Sequence, residues 1–340
     1  MTKVAVVILN FNGKKFLERF LPEVVKQSAG VAEIWVADNR STDDSVLFMQ
    51  KNFPDVHLIV NAENGGFAKG YNDALAKIKA EYYVLLNSDI EVTENWIQPV
   101  IDLMDTDTNI GACQPKILSF HRKKYFEYAG AAGGFIDKYG YPFCRGRVFQ
   151  VLEEDKGRYN DAVEIFWATG ACMFVRADVY HKMGGLDNDF FAHMEEIDFC
   201  WRLKNNNYKI MVCPKSVVYH IGGGTLPKSS SRKTYLNFRN NFALLYKNLP
   251  SARLFKVLFL RLILDGLAGI KFLTEGHWGD FTAVIRAHFY FYRNIGKLHK
   301  KRRKLIQKNV SQVYEGNIVL DHYLRGVKYF SQLKSGRFSK

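Results

Sequence analysis

Acidic and imidazole side chains occur at three places where their neighbours suit metal binding or proton transfer. Asp89 directly follows an apolar run, and His220 ends another apolar run before three glycines. Glu195 and Glu196 come shortly after two adjacent phenylalanines. A carboxylate at the end of a strand suits a hard divalent cation, which usually keeps waters and shares substrate phosphates. A glutamate that aromatic side chains half-bury can have a raised pKa and act as a general base.

Each of these residues also has an ordinary structural explanation. A single aspartate after a strand is more often a turn or helix cap, so Asp89 needs a second ligand to hold a metal. Acids such as Glu195 and Glu196 in the first turn of a helix interact favourably with the helix dipole. Asp198 lies four residues before Arg202, which is the spacing of an ordinary helical ion pair. His220 by itself is equally compatible with a packed residue and with a metal ligand.

A glycine-containing turn, Asn64-Gly65-Gly66-Phe67-Ala68-Lys69-Gly70, opens a predicted helix. It lacks the Gly-Lys-Ser/Thr of a Walker loop and the spacing of G-x-G-x-x-G. Glycines at the start of a helix still allow close backbone approach, and a helix N-terminus favours phosphate. The turn is therefore compatible with a phosphate site, although glycine is common in turns of every kind.

Alternating apolar runs and helical patterns must position these residues. The β-branched run at 4–9 predicts a fully buried parallel strand, and we predict further strands at 34–37, 57–60 and 82–86. Helical patterns follow at 16–25, after a cap at 41–44, at 68–79 and at 96–104. Strand–helix alternation of this kind predicts a doubly wound α/β sheet.

Polar side chains follow every one of these predicted strands, at 10–12, 38–39, 61–64 and 87–89. Ligands of doubly wound sheets bind outside the carboxyl ends of the strands. Asparagine and aspartate at a single such position are ordinary turn residues. Four successive strand ends with the same chemistry favour a binding site on one rim of the sheet.

The charge of the chain is concentrated in its last third. The whole chain carries +14, but residues 1–227 have 25 basic and 29 acidic side chains, and residues 228–340 have 23 basic and 5 acidic. This asymmetry excludes a uniformly basic nucleic-acid coat. The hydrophobic content of 47% excludes a disordered chain.

Five cysteines are widely spaced and form no C-x-x-C pair, which argues against a disulfide framework and a structural metal site. We expect them to be buried thiols in a reducing cytosol. The apolar run at 4–9 is too short for a signal peptide, so we expect no export signal at the start of the chain. The predicted location is cytoplasmic, at the cytoplasmic face of the inner membrane.

Taken in order, these segments resemble the family 2 glycosyltransferases of the GT-A fold, especially the bacterial rhamnosyltransferase-like branch. The resemblance covers roughly residues 3–226 and rests on seven motifs, at 7–13, 36–43, 61–72, 85–89, 169–171, 190–202 and 220–223. It implies a Rossmann-like, mostly parallel sheet flanked by helices. Residues 1–226 would form the transferase domain, 227–250 a flexible loop and connecting helix, and 251–340 a basic amphipathic helical region.

The resemblance also implies roles for individual residues. Asp38 looks like the residue that hydrogen-bonds the nucleotide base, and Asp89 like the metal-binding aspartate of a D-x-D-type motif. His220 is similar to the histidine that joins the metal, Mg²⁺ or Mn²⁺, and the diphosphate. The implied donor-binding residues are Asn12, Asp38, Asn64, Gly66, Phe67, Asn72 and Asn87.

Glu196 falls where the family has its presumed base, and Glu195 is the alternative. The implied reaction is an inverting transfer of a sugar from a UDP- or dTDP-sugar. The resemblance to the rhamnosyltransferase-like branch suggests rhamnose as that sugar. Asn87 replaces the first acid of a full D-x-D, and Glu196 replaces the usual aspartate. Trp167, before the turn at 169–171, is a candidate acceptor platform, with a core position as the alternative.

The basic last third suggests attachment to an anionic membrane surface. Residues 254–273 contain too many charges for a comfortable membrane span, but Arg253, Lys256 and Arg261 among apolar residues suit an interfacial helix. The polybasic run 297–304 would add about 1 kcal/mol per cation near anionic lipid. We therefore expect a lipid-linked glycan acceptor, while packing against the catalytic domain or a second subunit is the alternative. Nothing here resembles a nucleic-acid module.

Two other functions compete with this prediction. A nucleotidyltransferase or sugar-phosphate transferase on a similar sheet usually has a basic, glycine-rich first loop, and residues 10–13 contain neither an arginine nor a second glycine. A lipid- or nucleic-acid-binding protein without enzymatic activity would have no need for Asp89, Glu196 and His220 around one pocket. The oligomeric state stays open.

Overall fold

The first ninety residues form the alternating unit that the sequence predicts, in a computed structural model that describes residues 2–222 and 230–340. Residues 4–8 of the first strand are buried on both faces, as expected for an internal parallel strand. The elements are β1 (Thr2–Asn10), α1 (Lys14–Ser28), β2 (Glu33–Asp38), α2 (Ser45–Asn52), β3 (His57–Val60), α3 (Gly66–Leu75) and β4 (Ala80–Asn87).

The next part of the chain contains several short strands that the sequence did not predict. Their two to four residues are too few to show a periodic pattern. The elements are β5 (Ile90–Val92), α4 (Gln98–Asp105), β6 (Ile110–Ser119), β7 (Gly134–Asp137), β8 (Pro142–Cys144), β9 (Arg147–Val148), β10 (Val151–Leu152), β11 (Val163–Glu164), β12 (Cys172–Arg176), α5 (Ala177–Lys182), α6 (Glu195–Asn205) and β13 (Lys209–His220).

The main sheet has the order β11-β13-β6-β12-β4-β1-β2-β3, with β5 paired to β13. Strands β4, β1, β2 and β3 are parallel neighbours, so their carboxyl ends meet at one rim. Strand β12 runs antiparallel to both β4 and β6, which brings the turn before it to the same rim. The sheet is mixed and mostly parallel, with helices on both faces.

The last third of the chain is mainly helical and packs on this sheet domain. It contains α7 (Ser231–Asn248), α8 (Ser251–Thr274), α9 (Trp278–Arg293), α10 (Ile295–Arg302), β14 (Val313–Tyr314) and α11 (Ile318–Tyr323). None of the helices within 2–222 and 230–340 combines the length and apolar content that a membrane crossing requires. The predicted flexible loop includes residues 227–229, which lie outside the described residues.

A second, smaller sheet joins the middle of the chain to its C-terminal part. It has the order β10-β9-β8-β7-β14, and β14 pairs in parallel with β7. Rings of the C-terminal segment pack against the face of this sheet: Phe330 lies 5.0 Å from Phe135 between ring centroids, and Phe338 lies 5.3 Å from Phe135. The C-terminal segment is thus part of the core of the molecule.

Some predicted elements have different boundaries. Helix α2 begins at Ser45, so the acids at 43–44 precede its first turn, and Asp43 accepts hydrogen bonds from the Ser45 N–H and hydroxyl instead. Helix α3 covers 66–75 rather than 68–79, and α4 begins at Gln98 rather than at residue 96. The apolar run that ends at His220 is the end of the long β13, whose register shifts between Cys213 and Val217.

All five cysteines are buried and unpaired, as expected. Their burial raises the pKa of the thiols of Cys113, Cys172 and Cys200, which suits inert core residues rather than reactive ones.

Candidate functional site

The ends of β1 and β2 are joined by a small hydrogen-bond network around Asp38. Its carboxylate accepts hydrogen bonds from the Asn10 side-chain amide at 2.8 Å, the Ser41 hydroxyl at 2.7 Å and the Ser41 N–H at 2.7 Å. Asn10 Oδ1 is buried and has no hydrogen-bond partner among the described residues. Asp38 is therefore held rigidly at the rim, next to Asn10 Oδ1, a hydrogen-bond acceptor that has no donor among the described residues.

Asn12 closes the turn beside this network. Its backbone has a positive φ of 50°, and its Oδ1 accepts a hydrogen bond from the Thr42 N–H at 2.7 Å. The Asn12 N–H in turn donates to the Ser41 hydroxyl at 2.8 Å. Asn12 thus lies at the predicted donor edge, where it orders the loop between β2 and α2.

The ends of β2 and β3 are linked to the glycine turn by two further amides. Asn39 donates to the Gly66 carbonyl oxygen at 2.9 Å and accepts from the Asn61 amide at 2.8 Å. Asn64 accepts from the Gly66 N–H at 3.0 Å. The four polar strand ends therefore gather on one rim, as the sequence predicts.

Gly66 is required where the turn meets the segment before α6. Its φ is +76°, and a Cβ at this position would lie 2.5 Å from the Phe191 carbonyl oxygen. That same oxygen accepts a hydrogen bond from the Phe67 N–H at 2.6 Å. The first N–H groups of α3 and the segment that carries the glutamates are therefore locked together.

Phe67, the 169–171 turn and Glu196 meet at one point. A Cβ on Gly170 would lie 2.8 Å from Phe67 Cζ and 3.8 Å from Glu196 Cβ. The Asn87 N–H donates to the Ala171 carbonyl oxygen at 2.9 Å, which connects the end of β4 to the same turn. The turn therefore links the glycine turn, the glutamate and the strand that leads to Asp89.

The two glutamates begin α6, as predicted. Glu195 is 4% exposed and Glu196 is half-buried, and each has one carboxylate oxygen with no hydrogen-bond partner in the described part of the chain. Burial raises the pKa of Glu196 to about 7. Burial and the neighbouring Glu196 charge raise the pKa of Glu195 well above its usual range. The sequence predicts half-burial for both glutamates; Glu196 is half-buried, which suits proton transfer near neutral pH, whereas Glu195 is buried more deeply than predicted.

The backbone just before Glu195 is strained. Phe191, His193 and Met194 all have positive φ, at 64°, 70° and 71°, and none of them is glycine. Such conformations cost about 1–3 kcal/mol each and persist only where the surroundings enforce them. The conformation of the segment that precedes the glutamates therefore depends on contacts with other parts of the protein.

Helix α7 supplies the contacts that hold this segment. The Asn240 side-chain amide donates to the carbonyl oxygens of Phe190, Ala192 and His193 at 3.0, 2.9 and 2.7 Å. Arg239 donates to the carbonyl oxygens of Asp189 and Phe190 at 2.9 and 2.7 Å. We call this pair the α7 clamp, and no motif in the sequence pointed to it.

Buried charges connect the same helix to α6. Lys247 lies 2.9 Å from Asp198 and also pairs with Asp187, which precedes the strained segment. Arg202 lies 2.9 Å from Asp198, which confirms the predicted ion pair. The helix of the glutamates is therefore anchored to the C-terminal third by charge as well as by hydrogen bonds.

At the other side of the rim, Asp89 and His220 face each other because β5 pairs with the end of β13. His220 Nε2 lies 3.1 Å from Asp89 Oδ1, and His220 Nδ1 lies 3.5 Å from Glu127 Oε1. Asn87 approaches His220 Nε2 to 3.4 Å. Glu127 is a site residue that sequence reasoning missed, because it follows β6 in a segment without a motif.

Charge couples these three buried side chains. Burial would lower the pKa of His220, but the carboxylates of Glu127 and Asp89 raise it to about 10. Burial would raise the pKa of Asp89, but the facing imidazolium holds it below its usual value. Without a metal, the cluster is therefore an imidazolium held between two carboxylates.

The donor set of Asp89 and His220 fits a divalent cation. Their 3.1 Å separation matches adjacent ligands of an octahedral ion with bonds of roughly 2.1 Å. In the part of the chain that the structure describes, no group of three or more His, Cys, Asp or Glu side chains is arranged to hold a metal by itself. A metal at this place would need further ligands from substrate phosphate and water.

Two of the predicted site residues have structural roles instead. Trp167 is 3% exposed, and its indole N–H donates to the Phe135 carbonyl oxygen at 2.9 Å, so it cannot serve as an acceptor platform. Asn72 uses both polar atoms within the fold: it accepts from the Tyr180 hydroxyl at 2.6 Å and donates to the Leu186 carbonyl oxygen at 2.7 Å. The prediction for Trp167 was wrong, and Asn72 braces the 186–188 segment rather than lining the rim.

Comparison with known proteins places this geometry in a family. A profile of the family described as Glycosyl transferase family 2 matches residues 5–184. A low-salt glycan biosynthesis hexosyltransferase, Agl10 of Haloferax volcanii, is 26% identical over 70% of this chain and 74% of its own length. An N-acetylglucosaminyl-diphospho-decaprenol L-rhamnosyltransferase of Mycobacterium tuberculosis is 22% identical over 63% of this chain and 75% of its own.

A solved structure supports the same fold. The chain resembles the crystal structure of GalNAc-T7 with UDP, GalNAc and Mn²⁺, with a TM-score of 0.57 and 16% identity. The match covers 74% of this chain and 49% of that one, so this chain spans about half of its length. The predicted GT-A fold, with its nucleotide-sugar-binding sheet and a C-terminal helical region, is thereby confirmed. The protein is a glycosyltransferase, and its chain belongs to glycosyl transferase family 2.

Proposed function

We propose that this glycosyltransferase moves a sugar from a nucleoside diphosphate to a hydroxyl group of a lipid-linked or growing cell-surface glycan, with inversion at the anomeric carbon. The observation that carries the proposal is the meeting of Phe67, the 169–171 turn and Glu196 on the rim that also holds Asp38, Asp89 and His220. The profile match ends at residue 184, so the roles of Glu196 and His220 rest on geometry and chemistry.

At the donor end, Asp38 would hydrogen-bond the nucleotide base and Asn12 would hold the nucleoside. The glycine turn, with Asn64, Gly66 and Phe67, would position the sugar. The first N–H groups of α3 already donate to Asn64 and to the Phe191 carbonyl, so the turn would act through its shape and side chains. The nucleotide would be UDP or dTDP, and rhamnose is the sugar that the mycobacterial relative's name suggests.

Glu196 would act as the general base. Its carboxylate takes the proton of the acceptor hydroxyl, the hydroxyl oxygen forms a bond to the anomeric carbon, and the bond to the diphosphate breaks with its electron pair on the departing oxygen. Glu196 is preferred to Glu195 because it is half-exposed and lies beside Gly170 and Phe67, whereas Glu195 is buried. Proton transfer of this kind contributes about 10²–10⁴-fold to rate.

Asp89 and His220 would hold a divalent cation, Mg²⁺ or Mn²⁺, together with the diphosphate. When bound, such an ion stabilises the negative charge that develops on the departing diphosphate. Glu127 would fix the imidazole from behind through Nδ1, and Asn87, which lies 3.4 Å from His220 Nε2, would border the cation and the donor.

The acceptor and the location follow from the basic last third. We propose that residues 1–226 form the transferase unit and that residues 251–340 attach it to an anionic membrane surface, at the cytoplasmic face. The acceptor hydroxyl would then belong to a glycan carried on a lipid in that membrane.

The first test is nucleotide binding by thermal shift. Purified protein is heated with UDP, dTDP and their sugars, with and without Mn²⁺. We expect a metal-dependent rise in Tm, since a ligand at 100 times its Kd stabilises by about 2.7 kcal/mol. The Asp89→Ala variant should lose the metal-dependent part of the shift, while Glu94→Ala, at an exposed position, should keep it. The absence of any shift on folded protein would overturn the donor site.

The second test separates chemistry from binding. In Glu196→Gln, we expect transfer to fall by about 10²–10⁴-fold while the nucleotide thermal shift survives, because only the proton acceptor is removed. Glu94→Gln is the matched control and should transfer normally. Full turnover of Glu196→Gln together with loss of turnover in Glu195→Gln would reassign the base to Glu195.

A further inference from the structure

Helix α8 has the reverse of the polarity expected for a surface helix. It extends over 24 residues, from Ser251 to Thr274, and its fully buried positions include Arg261 and Asp265. Large apolar side chains are exposed on it: Phe255 is 82% exposed and Leu267 is 58% exposed. A surface helix normally places its charged side chains outward and its apolar stripe inward.

The buried charges of α8 pair with each other and contact the sheet domain, α7 and α9, where His288 Nε2 lies 3.4 Å from Asp265 Oδ2. Arg261 lies 3.1 Å from Asp265, donates to the Tyr139 carbonyl oxygen at 3.0 Å and hydrogen-bonds Asn241. Its guanidinium also lies 4.1 Å from the centre of the Tyr141 ring. The expectation that Arg261 faces lipid was therefore wrong: it anchors the inner face of α8.

The outer face of α8 is a continuous apolar stripe. Positions three and four apart in a helix are neighbours, so the exposed side chains form one row along the helix. They are Phe255, Phe259, Leu262, Ile263, Leu267 and Ile270. With Arg261 and Asp265 turned inward, the exposed charges of α8 are lysines near its two ends, at 256 and 271.

Helix α9 repeats this arrangement. Its exposed apolar side chains are Trp278, Ile285, Phe289 and Tyr292, again three or four or seven positions apart. Arg286 and Arg293 are exposed beside them. Its opposite side packs on α7, where Phe291 lies 5.3 Å from Phe242 between ring centroids. Helices α8 and α9 follow each other directly, and we call their two stripes the outer apolar face.

The positive charge around the outer apolar face favours an anionic bilayer over a second copy of the chain as its partner. Residues 228–340 carry a net charge of +18, so a second copy of the chain would bring like charges together. An anionic bilayer instead offers acyl chains to the aromatic and aliphatic side chains and phosphate to the cations around them. Soluble monomers rarely leave contiguous apolar patches of this kind uncovered.

The polybasic run contributes less than its sequence suggests. Lys297 pairs with Asp189, Lys301 pairs with Asp187 and Asp189, and Arg302 donates to the Tyr246 carbonyl oxygen. Half of the run is thus committed to the fold. Lys297 remains exposed although it is paired, and the other exposed cations of the run are Lys300, Arg303 and Lys304.

We infer that the outer apolar face of α8 and α9 is the membrane-docking surface of this protein, and that its ligand is an anionic lipid bilayer into whose interface the two stripes are buried. The inference deepens the membrane attachment in the proposed function and does not depend on the proposed sugar-transfer chemistry. Apolar contact supplies most of the affinity, and the exposed cations supply the preference for anionic lipid.

Flotation with vesicles tests the inference. Vesicles of phosphatidylcholine, with or without phosphatidylglycerol, are mixed with the full chain and separated by density. We expect the wild type to float with the anionic vesicles. The pair Phe255→Gln and Leu267→Gln should lower partitioning by at least about tenfold, because two large apolar side chains no longer leave water. The substitutions are neutral and lie at exposed positions, so the fold and the charge are preserved.

A matched control has the same kind of change elsewhere. Leu47 and Leu324 are 66% and 77% exposed on other parts of the surface, and the pair Leu47→Gln and Leu324→Gln should float like the wild type. Equal flotation of all three proteins, or no flotation of the wild type, would overturn the inference. So would a wild-type dimer in light scattering that the α8 pair converts to monomer, because the face would then cover a second copy.

The nucleotide thermal shift on the same preparations distinguishes the two proposals. Nucleotide binding without flotation overturns the docking surface and the proposed membrane attachment, and leaves the proposed sugar transfer intact. Flotation without nucleotide binding overturns the proposed function and leaves the docking surface intact.

Discussion

At the scale of single residues, the most informative feature is the half-buried Glu196 at the start of α6. Burial raises the pKa of its carboxyl group to about 7, and one of its oxygens has no partner among the described residues. A carboxylate kept in such surroundings is poorly solvated, which makes it a better proton acceptor near neutral pH. The same poor solvation must lower the stability of the fold when the group is ionised.

This conflict gives a prediction about stability. A carboxyl group whose pKa is higher in the folded than in the unfolded chain binds its proton more tightly when folded, so its favourable contribution is complete below the unfolded value and is lost as the pH rises to about 7. Glu196→Gln should therefore unfold at higher urea concentration than the wild type at pH 8, by roughly 1–3 kcal/mol, and similarly to it near pH 5.

The control for this prediction is Glu94→Gln, an exposed position, which should change neither value. An equal difference between Glu196→Gln and the wild type at both pH values would show that packing, not ionisation, accounts for it. In the active wild type, kcat/KM should fall about tenfold per pH unit below a pKa of about 7, because only the ionised base accepts a proton.

Single residues could be predicted from the sequence where they lie in short contiguous motifs. Asp38, Asp89 and the glutamate pair all follow recognisable apolar runs or aromatic pairs. Glu127 could not be found, because the antiparallel pairing of β5 with β13 and the loop after β6 bring it to His220 from far along the chain. Trp167 was misassigned because a sequence does not reveal that Gly134 leaves room for its indole ring, which a Cβ there would approach to 2.1 Å.

At the scale of elements, α7 stabilises the strained backbone that precedes Glu195 and Glu196. The carbonyl groups of Phe190, Ala192 and His193 all accept from the side-chain amide of Asn240, while the Phe191 carbonyl is held from the other side by the start of α3. A strained segment keeps its shape only while such contacts persist. Asn240 is therefore a positioning residue, which acts on the base through the backbone.

We expect Asn240→Asp to disturb this arrangement with little change in side-chain shape. A carboxylate cannot donate to the carbonyl oxygens of Phe190, Ala192 and His193, so the segment should relax and displace Glu196. A displacement of about 1 Å can cost about 10²-fold in kcat. The Kd of the nucleotide, measured by thermal shift, should stay within about twofold.

Asn52→Asp on the exposed part of α2 is the matched control and should leave kcat unchanged. Equal losses in kcat and in nucleotide affinity for Asn240→Asp would indicate general unfolding of the site rather than loss of positioning. Restoration of kcat by Asn240→Gln is not expected, since the longer side chain would meet the carbonyl groups too early.

Strands that appear in the sequence as apolar runs closed by polar turn residues were predictable, and very short strands that pair with distant residues were not. The parallel strands β1 to β4 were found because each is an apolar run closed by polar turn residues. Strands β7 to β11 have two to four residues each, and their pairing depends on partners distant in sequence. The orientation of α8 was also hidden, because its composition alone does not show that Arg261 and Asp265 pair with each other and face inward.

At the scale of the whole molecule, the C-terminal segment returns to the sheet domain. Strand β14 completes the smaller sheet, and Phe330 packs on Phe135, Phe143 and Tyr159 with ring centroids 5.0, 6.1 and 6.0 Å apart. The proposed transferase unit and attachment region therefore share one apolar core, although their charges differ so strongly.

We predict that the two regions unfold together. Phe330→Ala should lower the free energy of unfolding by roughly 2–3 kcal/mol, since a half-buried ring is lost from the shared core. Urea unfolding followed by tryptophan fluorescence and by circular dichroism should still give one coincident transition. Tyr329→Ala, at the exposed neighbouring position, is the control and should change little. Two separate transitions would contradict a shared core.

The α7 clamp has a consequence for the order in which activity arises during synthesis. Asn240 leaves the ribosome some 45 residues after Glu195, which corresponds to roughly 2–10 s of translation. Until then, the start of α3 holds this segment at Phe191, but the contacts that α7 makes with the backbone at 189–193 are missing, so we expect the glutamates of the nascent chain to lack their final geometry. We therefore expect the growing polypeptide to be inactive as a catalyst even after the sheet has been synthesised through β13. The residues of α7 that complete the active geometry are translated immediately before the helices of the outer apolar face.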